Sequence, residues 1–133
     1  MRKFLFIAVL IPLLSFSMAE PAGAPPEVKN ISIVVIDKEG KKHQLKSPTC
    51  EGLSYIKVRK GQVEYSISFT NIEKLEILNV SGDKAMVKIK LKSGKEDIFD
   101  MPSHAFCTAL SEIGNASFTM KDIKEIIFHK EER

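Results

Sequence analysis

From residue 31 to residue 129 the chain never runs far without a break: short stretches rich in Ile, Val, Phe and Tyr alternate with Gly, Asn, Asp and Pro. Punctuation this dense leaves no room for the long 3.6-period faces that helical folds need, and directs the chain into many short strands joined by tight turns. Strands are expected at about 31–36, 43–46, 55–60, 63–69, 74–78, 85–91, 97–101, 116–120 and 125–129. Alternation is plain where Tyr55, Lys57 and Arg59 oppose Ile56 and Val58, and again along 85–91, so each such strand buries one face. Lys38-Glu39-Gly40-Lys41 and Lys92-Ser93-Gly94-Lys95 place a glycine where a reversal can demand positive φ, and Lys60-Gly61-Gln62 does so in fewer residues. At most one short helix is expected, within 105–113, where Phe106, Leu110 and Ile113 share helical spacing.

The strands also repeat. Ile67, Phe69, Ile72, Leu75 and Ile77 match Phe118, Met120, Ile123, Ile126 and Phe128 offset for offset, with Asn71 against Asp122. Upstream, Gly40, Pro48, Cys50 and Leu53 are answered in the same order by Gly94, Pro102, Cys107 and Leu110. Segments 31–78 and 85–129 then read as two similar β-meander halves. A unit of about 45 residues buries too little apolar surface to fold alone, so the halves must share one core. The expected fold is all-β: one domain over 30–133 of about nine short strands, closed as a small barrel or stacked as a two-layer sandwich.

Met1-Arg2-Lys3, an apolar run from Phe4 to Leu14 and the small-residue ending Ser17-Met18-Ala19 read as a signal peptide over 1–19. The apolar run is shorter than the roughly 20 residues a spanning helix needs, and no second long apolar run follows, so no transmembrane segment is expected after cleavage. Residues 20–29, with Pro21, Gly23, Pro25 and Pro26, read as a flexible leader. Losing Arg2 and Lys3 lowers the formal net charge from +3 to +1, which takes away the basic footprint that nucleic-acid binding requires. The lysines at 57–60 and 84–95 fall largely at strand period, as on a solvated sheet face.

Cys50 and Cys107 are the chain's two cysteines. In an exported protein such a pair is expected to be joined, and the Cys-x-x-Cys spacing of redox motifs is absent. Their apparent equivalence in the two halves suggests a bridge between matching places. A competing arrangement is a metal site in which His43, Cys50, His104 and Cys107 supply two nitrogens and two sulfurs, with Met101 as a soft additional ligand. Its spacing is unlike the paired ligands two to four residues apart of zinc sites.

Nothing else in the sequence marks chemistry. Asp97, Asp100, Glu73, Glu76, Asp122 and Glu125 sit where carboxylates serve as cross-strand partners of lysines. There is no Gly-x-Ser-x-Gly, no phosphate-cradling glycine loop and no His-Glu-x-x-His, so neither a catalytic residue nor a cofactor is expected. Asn30, Asn79 and Asn115 each begin an Asn-x-Ser string and read as turn residues. The resulting expectation is a periplasmic or secreted binding module of the bacterial cell envelope, without catalysis, whose partner is another envelope or secreted protein or a second copy of itself. The alternative is a periplasmic metal-binding or redox protein built on the histidines and cysteines.

Overall fold

The computed structural model describes residues 31–130. The signal peptide expected over 1–19, the leader over 20–29 and Asn30 lie outside them. The described chain is all-β: β1 (Ile31–Asp37), β2 (Lys42–Cys50), β3 (Tyr55–Lys60), β4 (Val63–Ser68), β5 (Ile72–Ser81), β6 (Lys84–Leu91), β7 (Glu96–Pro102), β8 (Phe106–Ser111), β9 (Gly114–Thr119) and β10 (Ile123–Lys130). Two 3-10 turns, Phe69–Asn71 and Met120–Asp122, lead into β5 and β10.

All ten strands belong to one antiparallel sheet in the order β4-β3-β7-β6-β5-β10-β1-β2-β8-β9, curled into a half-barrel. This corrects the closed barrel and the two-sheet sandwich. The strand count also rises from nine to ten, because the segment expected as a short helix is β8. Cys107 and Ala109 turn inward there while Phe106, Thr108 and Leu110 turn outward. The large residues that suggested helical spacing are the outer face of a strand, and small residues fill its inner face. Asn79 and Asn115, expected in turns, lie within β5 and β9.

Local sequence explains the joins. Gly40 and Gly94 adopt φ of +87° and +99°, and each donates its N–H to a carbonyl three residues earlier, Asp37 at 2.9 Å and Leu91 at 2.8 Å. A side chain at such φ is strained, so glycine closes both hairpins. The inner face collects Ile33, Val35, Ile72, Leu75, Val87, Ile89, Ile123 and Ile126 into one buried core. Phe69, which opens the first 3-10 turn, stacks on Phe128 with ring centroids 5.5 Å apart. The buried Ser103 is satisfied by donating its hydroxyl to the Gly82 carbonyl at 2.8 Å. Among the described residues no helix is long and apolar enough to cross a membrane.

The connectivity is non-local. β7 lies between β3 and β6, and β2 lies between β1 and β8. Each terminal hairpin, β3–β4 at one end and β8–β9 at the other, is therefore attached to the sheet by a strand distant in sequence.

Candidate functional site

The two ends of the sheet are held very differently. β3 meets β7 at the single ladder pair Arg59↔Asp100. β8 meets β2 at Lys46↔Leu110, Thr49↔Thr108 and Cys50↔Cys107, and the last pair is a disulfide. The expected bridge is therefore present. Its position differs from the expectation of matching places: Cys50 ends β2 and Cys107 lies in β8, so unlike strands are joined, side by side across one ladder.

The bridge sits in a tightly built corner. Cys50 and Leu53 exchange backbone hydrogen bonds of 2.8 and 2.9 Å around Glu51 and Gly52, whose φ values are +53° and +77°. A two-residue turn with both φ positive favours Asn-Gly. Glutamate is held at the first position by two contacts to β8: its N–H donates to the Phe106 carbonyl at 2.8 Å, and its carboxylate accepts from the Phe106 N–H at 2.7 Å. One strand pair along, the Thr49 and Thr108 hydroxyls lie 3.0 Å apart. Beyond β8, β9 is the last of the described strands in the sheet.

The outer surface of this end carries large apolar side chains. Cys107 and Ala109 are buried, whereas Phe106 is 49% exposed, Leu110 48% and Ile113, in the β8–β9 turn, 97%. Large apolar side chains normally occupy the inner face of a half-buried sheet, and here they project from the outer one. Ser47, Thr49, Thr108, Asn115 and Ser117 line a shallow depression beside them. Nearer the sparse β3–β7 junction lies an apolar cleft of about 210 Å³ with Cys50, Ile56, Met101 and Ala105 in its wall and Lys57, Arg59 and Glu64 among its remaining lining residues.

The histidines are elsewhere. His43 is seven residues from Cys50 on the same strand, roughly 20 Å at the rise of extended chain, and its Nε2 lies 3.0 Å from Asp37 Oδ2. His104 Nε2 lies 3.6 Å from Asp83 Oδ1 on an exposed loop. The structure thus brings Cys50 and Cys107 together as a bridge and leaves His43 and His104 with separate carboxylate partners. Met101 is buried on β7. Among the described residues no three His, Cys, Asp or Glu side chains are grouped to hold a metal.

Two electrostatic features stand apart from the corner. The Asp37 carboxyl is held below its ordinary value, first by the hydrogen bond to His43 and then by the Lys41 N–H, while the Glu39 N–H adds to the same turn. At the other end Lys60 and Asp97 are hydrogen-bonded, which raises the lysine and lowers the carboxylate.

Sequence reasoning missed the outward apolar face of β8. The signal was present in the alternation of small Cys107 and Ala109 with large Phe106 and Leu110, followed by the turn-forming Gly114.

A family model described as "Uncharacterised protein" matches residues 27–131. A protein of Aquifex aeolicus (strain VF5), described as "Uncharacterized protein", is 57% identical over 133 residues, covering 100% of each chain.

Proposed function

This chain belongs to the family whose model spans residues 27–131, and we propose that it is an exported β domain acting as a binding module in the bacterial cell envelope, periplasmic or secreted, without catalysis. The observation that carries this reading is the inverted face of β8, where Phe106 and Leu110 are set outward on a strand held by a disulfide. Half-exposed aromatic and aliphatic anchors on a rigid support are what a protein partner can cover. The bridge itself favours an oxidising compartment, in keeping with the signal-like start at 1–19. The partner is another envelope or secreted protein, or a second copy.

The domain is further read as two similar halves. In support, the sheet order reversed is the same order with each strand replaced by the strand five places along the chain. Phe69 and Met120 both open 3-10 turns, and their N–H groups reach the Ser54 and Ala105 carbonyls respectively.

The test is a photocrosslinking residue at position 110 in cells exporting the full chain, combined with fractionation and intact mass. A product beginning at Glu20, oxidised, in the envelope fraction or the medium, and a discrete adduct lost on Phe106→Ala, is expected. A cytoplasmic, reduced product would overturn the reading.

A further inference from the structure

We infer that β9 is a self-pairing edge, through which two copies of this chain join their sheets about a twofold axis at Ser117. The inference rests on the binding-module reading and names the partner of the same end of the sheet.

β4 and β9 are the two strands that end the sheet, each paired on one side among the described strands. An edge presents a row of unpaired backbone donors and acceptors, and proteins ordinarily guard such edges with charge or proline. The two edges differ on that point. β4 reads Val-Glu-Tyr-Ser-Ile-Ser, and its Glu64 is opposite Arg59. β9 reads Gly-Asn-Ala-Ser-Phe-Thr, with neither charge nor proline. The unguarded edge is also the firmly held one, because its neighbour β8 is tied to β2 by three ladder pairs and the Cys50–Cys107 bridge.

The pairing that β9 invites follows from its register. β8 and β9 close at Ser111↔Gly114, and pairs continue through Leu110↔Asn115, Ala109↔Ala116, Thr108↔Ser117, Cys107↔Phe118 and Phe106↔Thr119. In an antiparallel ladder hydrogen-bonded and non-hydrogen-bonded pairs alternate. Counting from the tight two-residue closure, the N–H and C=O groups of Asn115, Ser117 and Thr119 face away from β8. These three are evenly spaced about Ser117. An antiparallel copy therefore sets Ser117 opposite the partner copy's Ser117 and Asn115 opposite its Thr119, so every outward backbone group of the three finds a partner. The two-fold arrangement is self-complementary, as an isologous interface must be.

Side chains agree with that register. On the inner face it puts Ala116 opposite the second copy's Phe118, a small residue beside a large one, at both symmetry-related places. On the outer face it brings together Ser117, Asn115 and Thr119, which are short and neutral. No like charges meet. Phe106 and Leu110 remain uncovered on the outer face, so the dimer widens the proposed binding surface instead of consuming it.

The test uses the full protein, in sedimentation equilibrium over a concentration series, with two kinds of variant. Ser117→Lys sets like charges against each other across the axis, and is expected to weaken the dimer at least about tenfold. Ser117→Pro removes the central outward donor and is expected to do the same, since an edge strand tolerates proline on its free side. Ser66→Lys, on β4, is the control and leaves the dimer unchanged. Ser117→Cys is expected to give a covalent dimer on a non-reducing gel, because hydrogen-bonded antiparallel pairs hold Cα atoms about 5.5 Å apart, within disulfide reach. A monomer at every concentration into the millimolar range, a Ser117→Lys dimer as tight as the unsubstituted one, or a mass that grows beyond two copies would overturn the inference. If self-association fails while the position-110 adduct in the envelope still depends on Phe106, self-pairing falls and the binding-module reading stands.

Discussion

Replacing both cysteines, Cys50→Ala together with Cys107→Ala, removes the covalent tie between β2 and β8, and its cost can be worked from the fold. The bridge spans a sequence separation of 57 residues. Closing a loop of that size in the unfolded chain is worth about 4 kcal/mol at 25 °C on the chain-entropy argument. Both sulfurs are buried, at 0% and 6% residue exposure, and trimming them to methyl groups adds roughly 1 kcal/mol of lost packing. The expected loss is therefore about 5 kcal/mol, or a fall in Tm of about 20 °C for a domain of this size. Urea unfolding followed by circular dichroism, with oxidised protein and the double variant in the same buffer, measures it. A loss below about 1.5 kcal/mol would refute the reasoning, since it would mean that the unfolded chain gains little freedom when the loop opens. Hydrogen exchange locates the effect. If the stabilisation acts through the unfolded state, β8 and β9 amides lose protection together with the core. Early exchange confined to that hairpin would show instead that the bridge works locally.

Phe69→Ala removes a ring that is 1% exposed and stacked on Phe128, and is expected to cost about 3–5 kcal/mol in the same urea assay. Asp37 has a lowered folded value, so its contribution is full above the usual carboxylate range near pH 4 and is lost as pH falls through the lowered value. Asp37→Asn should remove that part of the acid-side loss, seen as a flatter dependence of the unfolding midpoint on pH below about 4. Fragments 31–81 and 84–130, expressed separately, are expected to give disordered circular-dichroism spectra, because β3 and β8 find neighbours β7 and β2 only in the other fragment. A cooperative thermal transition in either fragment alone would contradict this.

The strands themselves were legible because their burial repeats every second residue, and the turns because Gly40 and Gly94 stand where the backbone needs positive φ. The segment after residue 105 was not, for a physical reason. Periodicity arguments assume that large apolar residues point inward, and at β8 the buried positions are held by the small Cys107 and Ala109. Phe106, Leu110 and Ile113 then show helical spacing because a strand face and a turn happen to be three or four residues apart. Segments 67–77 and 118–128, whose apolar offsets match, each run through a strand end, a 3-10 turn and a strand. Cys50 and Cys107, aligned upstream of them, lie in β2 and β8, which pair with each other. The separation relating Phe69 to Met120 and Ile72 to Ile123 instead carries Ile56 onto Cys107. Sheet order was beyond reach, because inserting β7 beside β3 depends on pairing between residues far apart in sequence.

The two terminal hairpins bring these points to bear on recognition. A strand offered to a partner has to keep its edge straight while the partner is absent; otherwise the ordering cost is subtracted from the affinity. The β3–β4 hairpin, held to its neighbour at Arg59↔Asp100 and carrying Glu64, is poorly suited to that task and protected from it. The β8–β9 hairpin has the opposite combination: a buried bridge one strand behind the edge, a turn at Glu51 fastened to Phe106 through two hydrogen bonds, and an edge without charge. Preorganisation then links the disulfide to binding as well as to stability. Reduction or the double alanine variant should weaken the proposed β9 pairing under conditions where the core remains folded. The opposite result, unchanged association with the bridge removed, would leave the disulfide a purely global staple and the edge rigid by its hydrogen bonds alone.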